Sequence, residues 1–328
     1  MSFGNYAIFV ASTDNYLPYV NALLNSIQKR ELHRHCNLTV YLLYHDMPVE
    51  YPEAAKTAFS FRLIPVNVER ADVPHPEGTK RIEFVKRARF WLVMKYAPKY
   101  DAVCLLDADM FIVSPEFAKL FDLVDGTQLC IACNERFKWN IGHDYVLDGK
   151  PILDPPQKLV QMHCSVPIIF VYKHWEDVFK SYTEICFGGR QWKNGEQKGI
   201  GDIYSWNISV VRCGKQDRIV VFPMSVMTQV HHTVIKPWTF LQVDHDYWYT
   251  YAGDRVYSVH GRVARPGYVR GYLERFDRDA GENEKPFRSK IEASLRRIQT
   301  EWYDLNFNGR LPLEAFVDTT LYAEMKGA

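Results

Sequence analysis

Asp107 and Asp109 stand two residues apart in "YDAVCLLDADMFIVSP", residues 100–115, directly after an apolar run of the kind that fills a buried strand. In an extended chain, residues two apart point to the same side, so both carboxylates can converge on one spot. Like charges held that close repel unless a proton is shared or a cation sits between them. A hard divalent ion with oxygen ligands is the usual solution. The motif is short, and a solvated turn at a strand end carries the same letters, so its surroundings have to discriminate.

The elements that would position the pair follow from periodicity. Residues 6–11 form an apolar run of strand length, and Val20, Leu23, Leu24 and Ile27 then recur at helical spacing. Between them lies "STDNYLP", where Pro18 suits a first helical turn and the polar residues are expected to cap it. Residues 37–46 and 62–68 read as further strands, and strand–helix–strand order implies a parallel sheet. In residues 81–96, Phe84, Val85, Ala88, Trp91, Leu92 and Tyr96 mark a helical stripe, with Lys86, Arg87 and Arg89 on its other side. Ser114 and Pro115 suit a helix start after the Asp-Ala-Asp strand. Ligands of open α/β sheets bind outside the carboxyl ends of strands, which is where both "STDNY" and "DAD" fall.

Beyond residue 126 the pattern is less regular: strand-like "LCIAC", a loop with "LDGKPILDPPQK", apolar "VPIIFVY", a helix near 174–186 and a glycine-rich loop "GGRQWKNGEQKGIGD". "RVYSVHGRVARPGY" reads as a strand ending at His260, and Phe287, Ile291, Leu295, Ile298 and Trp302 mark an amphipathic C-terminal helix.

The 328 residues are 47% apolar and 24% charged with a formal net charge of +1, the balance of an ordinary globular enzyme with no global pull toward nucleic acid or anionic membranes. No apolar run approaches the roughly 20 residues of a membrane span, and "YAIFVA" is too short and polar-flanked for a signal peptide. Seven scattered cysteines, with Cys130 and Cys133 inside a strand-like run, suggest reduced thiols and a cytoplasmic setting.

Taken together, "ASTDNY", the basic helix, "VCLLDADMFIV", "GDIYSWN" and "VHGRVARP" resemble, in that order, the glycogenin-like retaining nucleotide-sugar glycosyltransferases of family 8, over roughly residues 5–268. The resemblance implies a GT-A-type fold, an α/β architecture with a Rossmann-like, mostly parallel central sheet flanked by helices. It divides the chain into a catalytic domain at 1–268, with a nucleotide-sugar half at 1–125 and an acceptor half at 126–268, and a helical extension at 269–328. It further implies manganese or magnesium, a UDP-sugar donor, and an acceptor that is a glycan, protein, lipid-linked sugar or modified nucleic acid.

Residue by residue, the family's nucleotide-binding turn falls on Ser12, Thr13, Asp14, Asn15 and Tyr16, with the Tyr16 ring against the base. Its donor-contacting basic residue falls on Lys86 or Arg87, and its metal-binding pair on Asp107-Ala108-Asp109. The third metal ligand falls on His260, followed by Gly261 and a phosphate-directed Arg265 where the family has Lys. His231 and His232, ahead of a literal Lys-Pro-Trp ending at Trp238, are the competing match. His260 is preferred because a strand-like Val256–Val259 precedes it. Asp202 is the expected catalytic carboxylate and Asn207 its partner in the family pattern, but Ile203 replaces the family's Gln, and "HCSVPIIF" stands where the family has Asn-Ser-Gly. Two rivals remain at this stage, a nucleotidyltransferase and a non-catalytic sugar-nucleotide-binding protein.

Overall fold

A computed structural model describes residues 4–74, 81–222, 241–244, 247–250, 253–260, 267–318, 320 and 322. The first four strands, β1 (Asn5–Thr13), β2 (Asn37–His45), β3 (Arg62–Asn67) and β4 (Ala102–Asp107), are parallel, and helices α1 (Leu17–Lys29), α2 (Glu50–Ala58) and α3 (Arg81–Tyr96) connect them. Short β5 (Met110–Ile112) and α4 (Lys119–Asp122) lead to β6 (Cys130–Ile141), the small strands β7 (Tyr145–Leu147) and β8 (Lys150–Pro151), and the long β9 (Gln157–Phe170). After α5 (Glu176–Gly188) come β10 (Arg190–Lys193), β11 (Glu196–Gly199), α6 (Asp202–Arg212) and β12 (Ile219–Phe222). The remaining described elements are β13 (Leu241–Asp244), β14 (Tyr247–Thr250), β15 (Arg255–Val256), β16 (Ser258–His260), α7 (Tyr268–Asp279) and α8 (Arg288–Phe307).

Among the described residues the main sheet runs β3-β2-β1-β4-β9-β6-β12. β9 alone runs against the others, antiparallel to both β4 and β6, while β12 is parallel to β6. The expected mostly parallel α/β sheet is therefore present. The chain winds from β1 outward to β2 and β3, then returns to the other side of β1 as β4. The point where that order reverses opens a crevice at the strands' carboxyl ends.

Several local expectations change. The "STDNY" segment does not cap α1: Asp14–Tyr16 is itself a 3-10 turn, and neither it nor α1 has a side-chain cap at its start. Ser114 does cap, its hydroxyl accepting from the Glu116 amide, but the helix it opens is a short 3-10 turn. The glycine-rich loop is in fact the β10–β11 hairpin, turned by Asn194 and Gly195 at φ 53° and 78°, the paired positive values that a tight two-residue turn requires. Arg89 is not on an exposed face of α3. It is fully buried, because α5 and α6 cover a second side of the helix, where Phe90 stacks on Tyr182 at 3.7 Å and lies 6.3 Å from Trp206.

Helices α7 and α8 share a core with α1, β5 and β16, in which Tyr19, Ala22, Phe111 and Val259 meet Val269, Leu273, Leu295 and Trp302. A buried polar network joins them further. Asn21 donates to Asn306 and to the Leu311 carbonyl, at 3.0 and 3.1 Å, and Asn25 exchanges two hydrogen bonds with the Leu311 backbone. Tyr51 of α2 donates to Asn21. Gly309 allows this approach, since a Cβ there would collide with the Leu305 carbonyl and Asn25. Among the described residues no helix is long and apolar enough to cross a membrane.

Candidate active site

The crevice is lined first by the ends of β1 and β4, whose register sets Ala11 beside Asp107. Ser12 and Thr13 are buried, the Ser12 hydroxyl donating to the Thr13 carbonyl, whereas Asp14 and Tyr16 are half-buried and Asn15 is exposed. The exposed part of the turn thus faces outward from the same edge that carries Asp107.

Asp107 closes β4. Arg89 on α3 donates Nη1 to its carboxylate at 2.9 Å and to the Leu106 carbonyl at 3.1 Å. A buried guanidinium without a countercharge would be strongly destabilising, and Asp107 supplies one. Ala108 and Asp109 are buried, Asp109 at 8% exposure. The next residue, Met110, opens β5, which pairs antiparallel with β16 so that His260 lies opposite Met110. Cα atoms of such partners are about 4.5–5.5 Å apart, which brings the His260 backbone next to the Asp-Ala-Asp turn. The His260 side chain lies outside the described residues, as do Gly261, Arg265, His231, His232 and Trp238.

Lys86 precedes Arg89 by one helical turn and places Nζ 3.8 Å from Asp202 Oδ2. Burial by itself would lower the Lys86 pKa, but the Asp202 and Asp107 carboxylates outweigh it, with Arg89 opposing and the Tyr16 phenol adding, so the net shift is upward. One ammonium therefore lies within electrostatic reach of Asp107, Asp202 and Tyr16, contributed by β4, α6 and the β1 turn. Arg87 points elsewhere, its guanidinium lying beside Gly199 at the end of β11.

Asp202 is the first residue of α6, after an extended Gly201, a position where the helix dipole favours a negative charge. Asn207 does not face the crevice with it. Its Oδ1 accepts from the His163 amide and its Nδ2 donates to the His163 and Ile203 carbonyls, all at 2.8 Å. The amide braces α6 against β9 and has no N–H left to donate to a substrate. Of the aromatic residues in this half, Trp206 and Trp248 are core, while Trp192 on β10 is 52% exposed.

Residues 7–154 match the family described as glycosyl transferase family 8. That match falls a little short of half of the chain. No protein of curated function matches the sequence. In structure the chain is similar to the apo form of WbbM, a bifunctional glycosyltransferase, at 14% identity and a TM-score of 0.53, covering 88% of this chain and 52% of that one. It thus spans about half the length of WbbM, and the likeness establishes the fold. Weaker similarities are to galactosyltransferase LgtC in complex with donor and acceptor sugar analogues, at 17% identity, TM-score 0.47, covering 87% and 99% of the two chains. Mouse xyloside xylosyltransferase 1, apo form, follows at 13%, 0.45, and 78% and 97%.

The residue types at the Asp-Ala-Asp turn, two carboxylates with a histidine on the adjoining strand, are a donor set whose chemistry fits a divalent ion. Among the described residues, the group of three ligand-type side chains close enough to share an ion lies elsewhere, at His45, Asp46 and Glu69. There each imidazole nitrogen of His45 sits 3.1 Å from a different carboxylate, Asp46 and Glu69, at the end of β2.

Arg89 is the residue that sequence reading missed. A signal existed: it lies at i+3 from Lys86, and its neighbours Ala88 and Phe90 are apolar, an odd place for a solvated arginine. His163 is a second, buried at 6% exposure, with Nδ1 finding no partner among the described residues and a pKa lowered by burial to about 4. Its folded value lies below the ordinary unfolded value of about 6.5, so the unfolded chain binds the extra proton as pH falls through that window and stability falls with it. Urea unfolding is expected to show about 2 kcal/mol lost between pH 7 and 4.5 that His163→Gln does not lose. Equal slopes for the two proteins would rule this out.

Proposed function

We propose that the protein is a metal-dependent retaining glycosyltransferase that moves a hexose from a UDP-sugar to an acceptor. The observation that carries the reading is the Lys86 ammonium between Asp107 and Asp202, which joins the donor edge of the sheet to the start of α6. Cleaving the bond from the anomeric carbon to phosphate develops negative charge on the diphosphate and positive charge on the sugar ring. A divalent cation held by Asp107, Asp109 and His260 would act as a Lewis acid on the leaving diphosphate. Lys86, kept protonated by its carboxylate neighbours, adds a second positive charge on that side. The Ser12–Tyr16 turn holds the nucleoside beside it.

Asp202 is the carboxylate available to the sugar's positive charge. With apolar Ile203 beside it in place of an amide, and Asn207 engaged with β9, it acts without a hydrogen-bonding partner from its own helix turn. That favours electrostatic stabilisation along a front-face path, in which acceptor and departing UDP share one side of the sugar. The seven free thiols, six of them buried, suit a cytoplasmic setting.

The test is incubation with a panel of UDP-sugars and manganese, reading UDP release and the intact mass of the protein. At least one donor is expected to yield UDP in a manganese-dependent manner. Tight UDP binding without release from any donor would favour a binding module instead, and pyrophosphate from a nucleoside triphosphate a nucleotidyltransferase.

A further inference from the structure

Lys86 and Arg87 leave α3 side by side and go to different places. Lys86 reaches Asp202, whereas Arg87 Nη2 lies 3.5 Å from the point where a Gly199 side chain would begin. In the β10–β11 hairpin Gly199 pairs with Arg190 and Gln197 with Trp192, and side chains directly opposite on antiparallel strands share a face. Trp192 is thus diagonal to Gly199, a separation of about 7–8 Å that leaves a glycine-floored slot between the indole and the guanidinium.

The two walls of the slot lack partners of their own. Trp192 is 52% exposed and stacks on no other ring among the described residues, and Arg87 makes no hydrogen bond or ion pair among them. Arg190, on the same face, commits its guanidinium to the Phe187 and Gly189 carbonyls. The carboxylate of the hairpin, Glu196, pairs with Lys198 on the opposite face. The slot therefore carries positive charge with no carboxylate on its face of the hairpin. Its floor is fixed from behind, since Gln191 donates to the Tyr145 hydroxyl at 2.8 Å and to Asp144 at 3.2 Å. From Gly199 the chain runs on to Asp202 in three residues, at most roughly 11 Å.

We infer that Trp192 and Arg87 form an acceptor subsite for an acidic glycan, with a hexuronic acid stacked on the indole above Gly199 and its carboxylate held by the Arg87 fork. The inference rests on the proposed function and names the class of acceptor. An aromatic face suits the apolar side of a pyranose ring, and a planar guanidinium suits a carboxylate at the edge of that ring. One unpaired cation matches the single charge of a uronate, whereas a phosphate monoester carries about −1.5 to −2 and would bring the surplus near Asp202. Arg87 and Arg89 project about 200° apart around α3, and Arg89 holds Asp107, so an anion at Arg87 stands away from the proposed diphosphate side. The next sugar of the glycan then presents its hydroxyl toward Asp202. The subsite binds and orients; no bond is made or broken in it.

The experiment measures binding by calorimetry, with and without manganese and UDP. The probes are trisaccharides containing glucuronic or galacturonic acid, the same trisaccharides with each carboxylate reduced to an alcohol, and a phosphorylated trisaccharide. At least one uronate is expected to bind at least about tenfold tighter than its reduced form, as a charge-assisted bidentate pair gives. Arg87→Gln should lose that preference, while Trp192→Ala should weaken acidic and reduced forms alike, by at least about fivefold. Gly199→Val, which fills the slot and leaves both walls, should abolish binding of either form. A merely structural role would shift the melting temperature without separating acid from alcohol. Uronates that bind no tighter than their reduced forms, a preference that survives Arg87→Gln, tighter binding of the phosphorylated probe, or no binding of any probe overturns the inference. UDP release from a UDP-sugar in the same protein then leaves the proposed function standing. The expected uronate pattern in a protein that releases UDP from no donor removes the proposed function instead, and leaves a face that binds acidic carbohydrate.

Discussion

Asp107→Asn is expected to reduce manganese-dependent UDP release by about 10²- to 10³-fold, corresponding to about 3–4 kcal/mol of lost transition-state stabilisation. The carboxamide preserves shape and still accepts a hydrogen bond from Arg89, so the geometry of β4 should persist. What disappears is charge. One ligand of the proposed cation is neutralised, and the buried guanidinium loses the carboxylate that offsets it. Breaking a buried pair from one side costs about 3–5 kcal/mol, so a lowered melting temperature should accompany the loss of turnover. Activity therefore has to be read on folded protein. Asp109→Asn should share the kinetic defect. Unchanged turnover with unchanged manganese dependence in both variants would sink the metal assignment.

Glu301→Ala is expected to destabilise the fold by about 3 kcal/mol, the low end for removing one partner of a buried ion pair. Glu301 on α8 accepts from Arg30 at 3.1 Å and Lys29 at 2.9 Å, both at the end of α1, and Arg30 is 8% exposed. The estimate rests on Arg30, since Lys29 is largely in solvent and a pair of that kind contributes little. Urea unfolding would measure the change. A midpoint within experimental error of native would mean that α8 is held by its apolar contacts, Trp302 against Tyr19 above all. Because the proposed nucleotide turn lies at the start of α1, the variant should weaken UDP binding as well. That is the functional reason for attending to a helix so far along the chain.

The edge of the sheet where Ser12–Tyr16 and Asp107 lie was legible in the sequence for a physical reason. β1 and β4 are continuous apolar runs because parallel strands are buried on both faces, and polar residues after such a run must lie at the strand's carboxyl end. The limits of α3, residues 81–96, were equally readable from its spacing. Which side of α3 would be covered was not, since that depends on α5 and α6 more than eighty residues later. For the same reason Arg89 read as solvated when it is buried. The reversed direction of β9 and the brace between Asn207 and His163 are long-range pairings with no local trace. Helix α7 falls within the expected helical extension at 269–328. Val269, Tyr272, Leu273 and Phe276 are spaced for an amphipathic helix, and Gly271 is tolerated inside it while Gly267, at φ 71°, precedes its first turn.

The bonds from Asn21 and Asn25 to Asn306 and Leu311 impose a timetable on biosynthesis. As the ribosome delivers the polypeptide, the opening β–α unit comes out with two amides whose native partners have yet to be translated. Until nearly three hundred further codons are read, that unit has no complete interior and must stay loosely assembled, in contact with water or a chaperone. Maturation of the turn at residues 12–16 is thereby deferred to the closing moments of translation.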